Sequence, residues 1–494
     1  MGKFLLAIDQ GTSSSRTVIY DHATRVVASA QQEFPQIYPQ SGWVEHDPEA
    51  IWNSVQAVTL KAMAEAAAGS GDITAIGITN QRETTLVWDR ESGACVYNAI
   101  VWQDRRTAEY CRSLKSEGLE LTVASKTGLR LDPYFSATKL AWILDNVEGA
   151  RERAESGKLA FGTIDCFLLW RLTGGAAHAT DATNASRTLL FNIHTQQWDD
   201  ELLEIFNIPR ELLPEVKDCA AEFGMATDPC VGGAVPVLGM AGDQQAALIG
   251  QAGFEYGMTK STYGTGCFVI ANTGANALAS QNKLLTTIAM RLNGEVTYGL
   301  EGSVFVAGSA IQWLRDEMKI IASAPETEAI AKRTGIVDDV VVVPAFAGLG
   351  APYWDPDARG AIVGLSRGSG RDQIVTATLQ AVAYQTLDLI RSMAEDGISP
   401  AVIRVDGGMV ENSWFLQFLA DVLDTPVERP VNVESTVLGA AYLAAIAAGV
   451  LQGSEQIADN WQCQSRFEPA MTSDHRERLL NGWRAAVSRV RTNE

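Results

Sequence analysis

Small hydroxyl side chains cluster at a turn near the start of the chain. The stretch AIDQGTSSSRTVIY, residues 7–20, places Thr12, Ser13 and Ser14 between two apolar, β-prone runs, and Asp9 closes the first run. The N–H groups and hydroxyls of such a turn converge on one point, which suits the oxygens of a phosphate. Asp9 cannot itself bind phosphate, but a carboxylate there can hold, through water, a Mg²⁺ that bridges phosphates. The alternative is a plain hairpin, because turns are enriched in Gly and Ser.

A second turn of the same kind lies in the middle of the chain. The stretch KSTYGTGCFVIAN, 260–272, again gives a strand, a Gly-Thr-Gly turn and a strand, with Thr265 and Gly266 in the turn. Two such hairpins facing each other across a cleft would grip a polyphosphate from both sides. The repeated pattern predicts an internal duplication, with domains over 1–250 and 251–494.

Two further polar elements follow predicted strands. Asp243 closes an apolar run and begins a helix-forming stretch, and Asp406-Gly407-Gly408 follows another run, shortly before Asn412. A carboxylate within reach of a substrate hydroxyl can remove its proton, and glycines let the backbone approach a flat ligand closely. Each element also has a purely structural interpretation, because Asp243 and Asn412 are both good helix caps.

Strand-like and helical segments alternate along the chain, which indicates α/β architecture. Apolar runs predict strands at 73–79, 234–240 and 402–405. Apolar spacing predicts helices at 49–67 and 134–144. These elements must position the turns and carboxylates described above.

The composition is that of a globular protein with an acidic balance. The chain has 494 residues, 46% of them hydrophobic, and a net charge of −20; its length favours two large domains. A negative field repels nucleic acid and anionic lipid, so we expect neither a nucleic-acid partner nor membrane insertion. The seven cysteines include no C-x-x-C pair and no signal peptide is visible, which predicts reduced thiols and a cytoplasmic location.

Several motifs together resemble the FGGY carbohydrate kinases, in the superfamily that also contains actin, hexokinase and Hsp70. The P-loop, Rossmann and protein-kinase motifs are missing from the sequence. The resemblance covers nearly the whole chain in the family's order. It is carried by AIDQGTSSSR (7–16), NQRET (80–84), WQDRR (102–106), YFSATKLAWILDN (134–146), GDQQAAL (242–248), YGTGCF (263–268), AGSAIQWLRD (307–316), GAIVGLSRGSGRDQIVTATLQ (360–380) and VDGGMVENSWFLQ (405–417).

The resemblance implies a fold and an activity. The fold is two duplicated actin-like (ribonuclease H-like) ATPase domains with a cleft between them. NQRET, WQDRR and GDQQ are similar to the members that phosphorylate glycerol, which implies that ATP, with Mg²⁺, and glycerol give ADP and sn-glycerol 3-phosphate, the entry step of glycerol catabolism. The family also implies a homodimer or a homotetramer.

Three alternatives to the glycerol-phosphorylating hypothesis stay open. One is a family kinase for another small polyol or sugar, such as erythritol or dihydroxyacetone. Another is an ATP-switched binding protein of the actin or Hsp70 kind, which the GDQQ motif and the lack of an evident peptide-binding domain disfavour. A third is a catalytically inactive regulator, against which the intact Asp9 and Asp243 argue.

The resemblance also assigns roles to individual residues. Asp243 is the implied catalytic base, and Asp9 the implied Mg²⁺ anchor. The implied glycerol-binding residues are Arg82, Glu83, Trp102, Tyr134, Asp243, Gln244 and Phe268. The implied ATP-binding residues are Thr12, Ser13, Ser14, Arg16, Thr265, Gly266, Gly308, Gln312, Gly408 and Asn412. Simpler interpretations are a surface ion pair for Arg82–Glu83 and plain core packing for Trp102.

Two regulatory features of the family are missing. Some members are inhibited by fructose 1,6-bisphosphate at a G-G-T-R loop, but residues 231–235 read VGGAV here, with Ala234 in the place of the Arg. Others are activated by phosphorylation of a His in a neighbouring loop, and residues 221–227, AEFGMAT, contain no His. We therefore expect neither control.

Millimolar fructose 1,6-bisphosphate should leave the rate of phosphorylation at fixed glycerol unchanged, because the anion site has lost its cation. A coupled assay of ADP release measures this, with sulfate of equal ionic strength as the control. A fall in rate that bisphosphate causes and sulfate does not would contradict the expectation.

Overall fold

The computed structural model of the chain describes residues 2–355 and 357–492. We call 2–250 the N-terminal half and 251–492 the C-terminal half. The strands are β1 (Phe4–Gln10), β2 (Ser14–Asp21), β3 (Val26–Glu33), β4 (Glu45–His46), β5 (Ile73–Asn80), β6 (Leu86–Asp89), β7 (Ala99–Ile100), β8 (Leu159–Gly162), β9 (Ala179–Asp181), β10 (Phe191–Asn192), β11 (Gln197–Trp198), β12 (Glu215–Lys217), β13 (Ala220–Ala226), β14 (Val235–Gly242), β15 (Thr259–Tyr263), β16 (Cys267–Gly274), β17 (Leu285–Leu292), β18 (Glu295–Val304), β19 (Val341–Val343), β20 (Ala361–Val363), β21 (Ile403–Asp406), β22 (Val427–Pro430) and β23 (Cys463–Phe467). The α-helices are α1 (Pro48–Glu65), α2 (Ala108–Ser116), α3 (Glu120–Thr127), α4 (Ser136–Asn146), α5 (Ala150–Glu155), α6 (Ile164–Leu172), α7 (Ala182–Ala185), α8 (Asp200–Phe206), α9 (Asp243–Gly250), α10 (Gly308–Asp316), α11 (Glu326–Thr334), α12 (Arg371–Glu395), α13 (Ser413–Leu423), α14 (Ser435–Ala447), α15 (Ser454–Asn460) and α16 (Ser473–Ser488).

The main sheet of the N-terminal half has the strand order β13-β14-β5-β1-β2-β3. The strands β1, β2 and β3 form an antiparallel meander, whereas β5 and β14 run parallel to β1. Gln10 is paired with Asn80, and Asn80 with Gly242, so three strands end together at one edge. Residues that follow β5 and β14 therefore reach the same edge as Asp9, where ligands bind in open α/β sheets.

The main sheet of the C-terminal half repeats this plan, in the order β17-β18-β16-β15-β21-β22-β23. Here β15, β16 and β18 are the antiparallel strands, and β21 and β22 run parallel to β15. Each sheet closes with one antiparallel strand beyond its parallel pair, β13 in the first and β23 in the second. The predicted fold class, α/β with two duplicated actin-like ATPase halves, is confirmed. The boundary at residue 250 stays a prediction.

The predicted elements lie close to the observed ones. The strands predicted at 73–79, 234–240 and 402–405 correspond to β5, β14 and β21. The helix predicted at 134–144 begins two residues later in the structure. The reason is local: the Asp132 carboxylate accepts a hydrogen bond of 2.9 Å from the Tyr134 N–H, and Phe135 is extended, so Tyr134 stays outside α4.

One helix of the C-terminal half packs on the sheet of the N-terminal half. The helix α14 lies against β1, β5 and β14 and crosses α9. Leu5 and Ala7 of the sheet share a hydrophobic core with Leu438 and Ala441 of the helix. The sheet can approach so closely because Gly77 has no side chain; a Cβ there would overlap the carbonyl of Ala440.

The substitution Gly77→Val should lower the free energy of unfolding by about 1–3 kcal/mol, because an overpacked interface must shift to accept the side chain. Urea denaturation of the purified protein measures the change. The matched control is Gly71→Ala, since a Cβ at Gly71 meets nothing within 4 Å. Equal unfolding midpoints for the two variants would contradict the close packing of α14.

Candidate active site

The first hydroxyl turn joins β1 to β2 at the shared edge of the N-terminal sheet. The Thr12 Oγ1 accepts a hydrogen bond of 3.0 Å from the Trp102 indole N–H, and the Ser14 Oγ accepts one of 2.9 Å from Gln31. Ser13 is exposed between them. Both hydroxyl oxygens are acceptors in these bonds, so their hydrogens remain available for an anion, as a phosphate turn requires.

Arg16 and Asp9 lie directly opposite each other on β2 and β1. The Arg16 guanidinium donates to the Gln31 side-chain oxygen at 2.7 Å and forms an ion pair with Glu434. Glu434 belongs to the C-terminal half and stands immediately before α14. Arg16, which the sequence predicts to contact phosphate, is thus paired with a carboxylate of the C-terminal half.

The environment of Asp9 is electrostatically unfavourable for a lone carboxylate. Burial raises its pKa to about 7; Arg16 opposes this shift, and the negative charges of Asp243 and Glu434 add to it. Within 2–355 and 357–492 no three His, Cys, Asp or Glu side chains form a group that could hold a metal ion. A single carboxylate next to a phosphate turn suits Mg²⁺, which keeps several waters and takes its other ligands from phosphates.

The second turn is fastened to the start of α10. The carbonyl of Thr265 accepts hydrogen bonds of 3.0 Å from the N–H groups of Ala307 and Ser309, and the Gly308 N–H donates to Gly264 at 2.9 Å. A side chain cannot be accommodated at Gly266, where a Cβ would lie 2.7 Å from the Val304 carbonyl oxygen. The turn and the helix therefore form one rigid unit.

A cavity of about 460 Å³ opens beside this turn. The predicted nucleotide residues Thr265, Gly308, Gln312, Gly408 and Asn412 line it together, as do Pro325 and Thr327, which the sequence did not indicate. Asn412 does cap α13, since its Oδ1 accepts from the Phe415 N–H at 2.9 Å. Its Nδ2 donates to the Thr327 hydroxyl at 3.3 Å, so the cap is also part of the cavity wall.

Four charged side chains are buried together just beyond the end of β5. The Arg82 guanidinium makes two hydrogen bonds to Glu301, of 2.5 and 3.1 Å. Arg187 donates to Glu83 at 2.6 Å and to Glu301 at 3.0 Å. The interpretation of Arg82–Glu83 as a surface ion pair is wrong, because their side chains are only 2% and 1% exposed.

The pKa values of the two glutamates differ because their neighbours differ. Burial disfavours ionised Glu301, but the charges of Arg187 and Arg82 outweigh it and lower its pKa to about 2. Burial raises the pKa of Glu83, and the same two arginines offset the rise only in part. Glu301 therefore carries the firmer negative charge of the cluster.

Asp243 is the first residue of α9 and faces this cluster. Its Oδ1 lies 3.0 Å from the Arg82 Nε and accepts a hydrogen bond of 2.7 Å from the Gln244 N–H. About a third of the side chain remains accessible, 31%, whereas the Arg82 side chain beside it is 2% exposed. The carboxylate thus stands at the surface of the cleft, held in place by a buried cation.

The next residue, Gln244, is held by a lysine that the sequence did not indicate. Buried Lys260 donates to the Gln244 side-chain oxygen and, at 2.8 Å, to the Thr262 hydroxyl. Because the oxygen of the Gln244 amide is occupied, its NH₂ group is left to donate into the cleft.

Three aromatic rings form an apolar wall between the halves. Trp102 meets Tyr134 edge-on at 5.6 Å and Phe268 at 6.2 Å between ring centroids. Phe268 lies on β16, in the C-terminal half. The half-buried Trp102 is more than core packing, because its indole also reaches the hydroxyl of Thr12 in the first turn.

Sequence reasoning missed three charged residues of this site: Arg187, Lys260 and Glu301. A signal exists in the sequence for Glu301, which interrupts the apolar strand YGLEGSV. Lys260 lies in the largely polar strand TKSTY, which gives no such signal. A lone charge at a buried strand position is rare unless it is paired. No local motif, however, names its partner.

Comparison with known proteins places the chain in a family. The family model described as "FGGY family of carbohydrate kinases, N-terminal domain" matches residues 4–250. The family model of the corresponding C-terminal domain matches residues 259–448. The chain belongs to the FGGY family of carbohydrate kinases. In the part of this FGGY kinase that the structure describes, no helix is long and apolar enough to span a bilayer.

Individual FGGY kinases are similar over their full length. The glycerol kinase of Ectopseudomonas mendocina (strain ymp) is 62% identical over 497 residues, covering 100% of both chains. Glycerol kinase 1 of Pseudomonas aeruginosa is 60% identical over 492 residues, again covering 100% of both. A solved structure of Plasmodium falciparum glycerol kinase with ADP superposes with a TM-score of 0.92 at 36% identity, covering 99% of each chain.

The substitution Glu301→Gln should destabilise the protein by roughly 3–5 kcal/mol at neutral pH, because it leaves two arginines buried without their shared carboxylate. The ordinary pKa of Glu301 is 4.5 and its folded value is about 2. Its stabilising contribution is therefore complete above pH 4.5 and is lost as the pH falls from there towards 2. Urea unfolding between pH 7 and pH 3 measures both effects.

The matched control is Glu295→Gln, an exposed position on the same strand β18. Between pH 4.5 and 3 the wild type should lose stability more steeply than E301Q, whereas E295Q should follow the wild type. Parallel curves for all three proteins would contradict the lowered pKa of Glu301.

Proposed function

We propose that this FGGY kinase is an ATP:glycerol 3-phosphotransferase, which converts ATP and glycerol to ADP and sn-glycerol 3-phosphate. The observation that carries the proposal is the position of Asp243. Asp243 lies beside buried Arg82, at the same edge of the N-terminal sheet as the first hydroxyl turn. Full-length relatives at 62% and 60% identity are glycerol kinases, which supports this substrate.

Glycerol has three hydroxyls and little apolar surface, so its site must offer many directional hydrogen bonds. We assign these to Arg82, Glu83, Tyr134, Gln244 and Asp243. The polar groups of Arg82, Glu83, Asp243 and Gln244 are held in fixed directions by hydrogen-bonded neighbours. A substrate that lacks a hydroxyl would leave a polar group of the site unpaired. The rings of Trp102 and Phe268 would cover the carbon chain.

Asp243 is assigned as the general base. A primary hydroxyl is a poor nucleophile, and a carboxylate within hydrogen-bond reach can take its proton as the phosphoryl group transfers. The Arg82 Nε at 3.0 Å and the Gln244 N–H at 2.7 Å both engage Oδ1 and so fix the direction of the carboxylate. Helix capping and catalysis are therefore compatible at this residue.

The phosphates of ATP would lie between the two turns. Thr12, Ser13 and Ser14 would bind from the N-terminal half, and Thr265 and Gly266 from the C-terminal half. Arg16 would exchange Glu434 for a phosphate. Asp9 would hold the Mg²⁺ that arrives with ATP, and the bound ion would neutralise part of the phosphate charge.

The nucleoside would occupy the cavity of about 460 Å³ that Gly308, Gln312, Gly408 and Asn412 line. A similar structure, the Plasmodium falciparum glycerol kinase, is described with ADP, which supports nucleotide use by this fold. The homodimer or homotetramer and the cytoplasmic location that the sequence implies stay predictions. Analytical ultracentrifugation and fractionation of cells would test them.

The substitution Asp243→Asn should reduce kcat for glycerol phosphorylation by about 10²–10⁴-fold, because the amide cannot accept the proton. The KM for ATP should stay within twofold of the wild type. The measurement is glycerol-dependent release of ADP, with Asp459→Asn on the exposed face of α15 as the control. Full activity in D243N would remove Asp243 from the role of base.

A substrate panel separates the proposed activity from its alternatives. We expect glycerol to be phosphorylated with a higher kcat/KM than dihydroxyacetone, erythritol, xylulose or gluconate. Faster turnover of another polyol would identify a different kinase of the family. ATP hydrolysis that is indifferent to every polyol would favour an ATP-switched binding protein.

A further inference from the structure

Arg187 lies outside the motifs that identify the family and yet stands at the centre of the buried charge cluster. Its side chain is fully buried, in the loop after α7. Its Nε donates to the Glu83 Oε1 at 2.6 Å, and its Nη2 donates to the Glu301 Oε1 at 3.0 Å. Its Nη1 is buried without a hydrogen-bond partner among the residues that the structure describes.

We propose that Arg187 is a positioning residue that sets the selectivity of this site for a triol over a diol. It fixes the Glu83 carboxylate directly and orients Arg82 through Glu301. This inference rests on the proposed function, because it concerns how the glycerol hydroxyls are recognised.

Glu83 has an unusual backbone conformation. Its φ is +61°, in the left-handed region that non-glycine residues rarely adopt. Two hydroxyls, Ser136 Oγ and Thr85 Oγ1, each donate to the Glu83 carbonyl at 3.0 Å. Strain of this kind persists only where the surroundings determine it, and it is concentrated at functional sites.

The two carboxylate oxygens of Glu83 have different surroundings. Arg187 occupies Oε1, and nothing among the described residues donates to Oε2. Oε2 is not one of the buried side-chain atoms that lack a partner in the described part of the chain, so it remains accessible to a ligand. Oε2 is thus the atom available to accept a hydrogen bond from a substrate hydroxyl, and Arg187 decides where it points.

Arg187 is also linked to Arg82 through Glu301. Arg187 and Arg82 both donate to the Glu301 Oε1, and Arg82 donates to the Oε2 as well. The remaining Arg82 nitrogen, Nε, faces Asp243 at 3.0 Å. Through Glu301, the position of Arg187 therefore also determines the orientation of the Arg82 guanidinium relative to the substrate and to the base.

Stability alone does not account for Arg187. A buried guanidinium with one unpartnered nitrogen carries an uncompensated desolvation cost. The charge also lies 5.7 Å from the Tyr134 ring centroid and 5.3 Å from that of Phe135. Only arginine can reach two carboxylates at once from a rigid plane; lysine offers a single point charge.

The test is the substitution Arg187→Lys, which keeps the cation and removes the fork. Losing a hydrogen bond between charged groups should raise the KM for glycerol about tenfold or more. The KM for ATP should stay within twofold of the wild type. The ratio of kcat/KM for glycerol to that for propane-1,2-diol should shrink about tenfold. A purely structural role would not change this ratio.

The matched control is Arg291→Lys, a largely buried arginine on β17 that donates to Asp218 at 2.6 Å, away from the cluster. R291K should keep the wild-type ratio. A wild-type ratio in folded R187K would overturn the inference, whatever its KM for glycerol. A wild-type protein that is indifferent to glycerol would instead overturn the proposed function, and the inference with it.

Folding of the variants is measured first, by thermal unfolding followed by circular dichroism. If R187K does not fold, Arg187→Gln takes its place, since the amide can still donate one hydrogen bond to Glu83. R187Q should show the same fall in the glycerol to propane-1,2-diol ratio. If neither variant folds, Arg187 is a structural residue and the inference is wrong.

Discussion

Four buried charges hold the centre of this molecule together. Arg82, Glu83 and Arg187 come from the N-terminal half, and Glu301 from the C-terminal half. Such a group is costly to bury and tolerable only when every member is paired, so the loss of any one leaves its partners uncompensated. Because the pairs cross the boundary between halves, the cluster is complete only when both halves are in register.

The same constraint explains how an acidic protein holds an anionic ligand. The net charge of −20 gives no general attraction for phosphate. In the proposed site, attraction comes from fixed local groups: backbone N–H groups and hydroxyls of the two turns, and a few cations each matched to a carboxylate. Arg16 illustrates the balance, since it carries an ion pair with Glu434 that, in the proposed site, a phosphate would replace.

Much of this arrangement could be predicted because it is local. The two hairpins, the strands that precede Arg82 and Asp243, and the start of α1 depend on neighbours within a few residues. Even the two-residue error at α4 has a local cause, the hydrogen bond from Tyr134 to Asp132. Arg187, Lys260 and Glu301 were missed because their partners are remote in sequence. A single charge within an apolar run indicates that the side chain is buried and paired, but the sequence does not identify the residue that it pairs with.

The packing of α14 on the N-terminal sheet has a consequence for how the chain is made. The strands β1, β5 and β14 emerge from the ribosome before residues 243–434, whereas the helix that packs on them, α14 (Ser435–Ala447), emerges later. Until α14 is synthesised, the sheet face that contains Leu5 and Ala7 cannot be buried by this helix. The N-terminal half is thus an incomplete folding unit during synthesis, and a chain cut between the halves would yield two fragments with complementary exposed apolar surfaces.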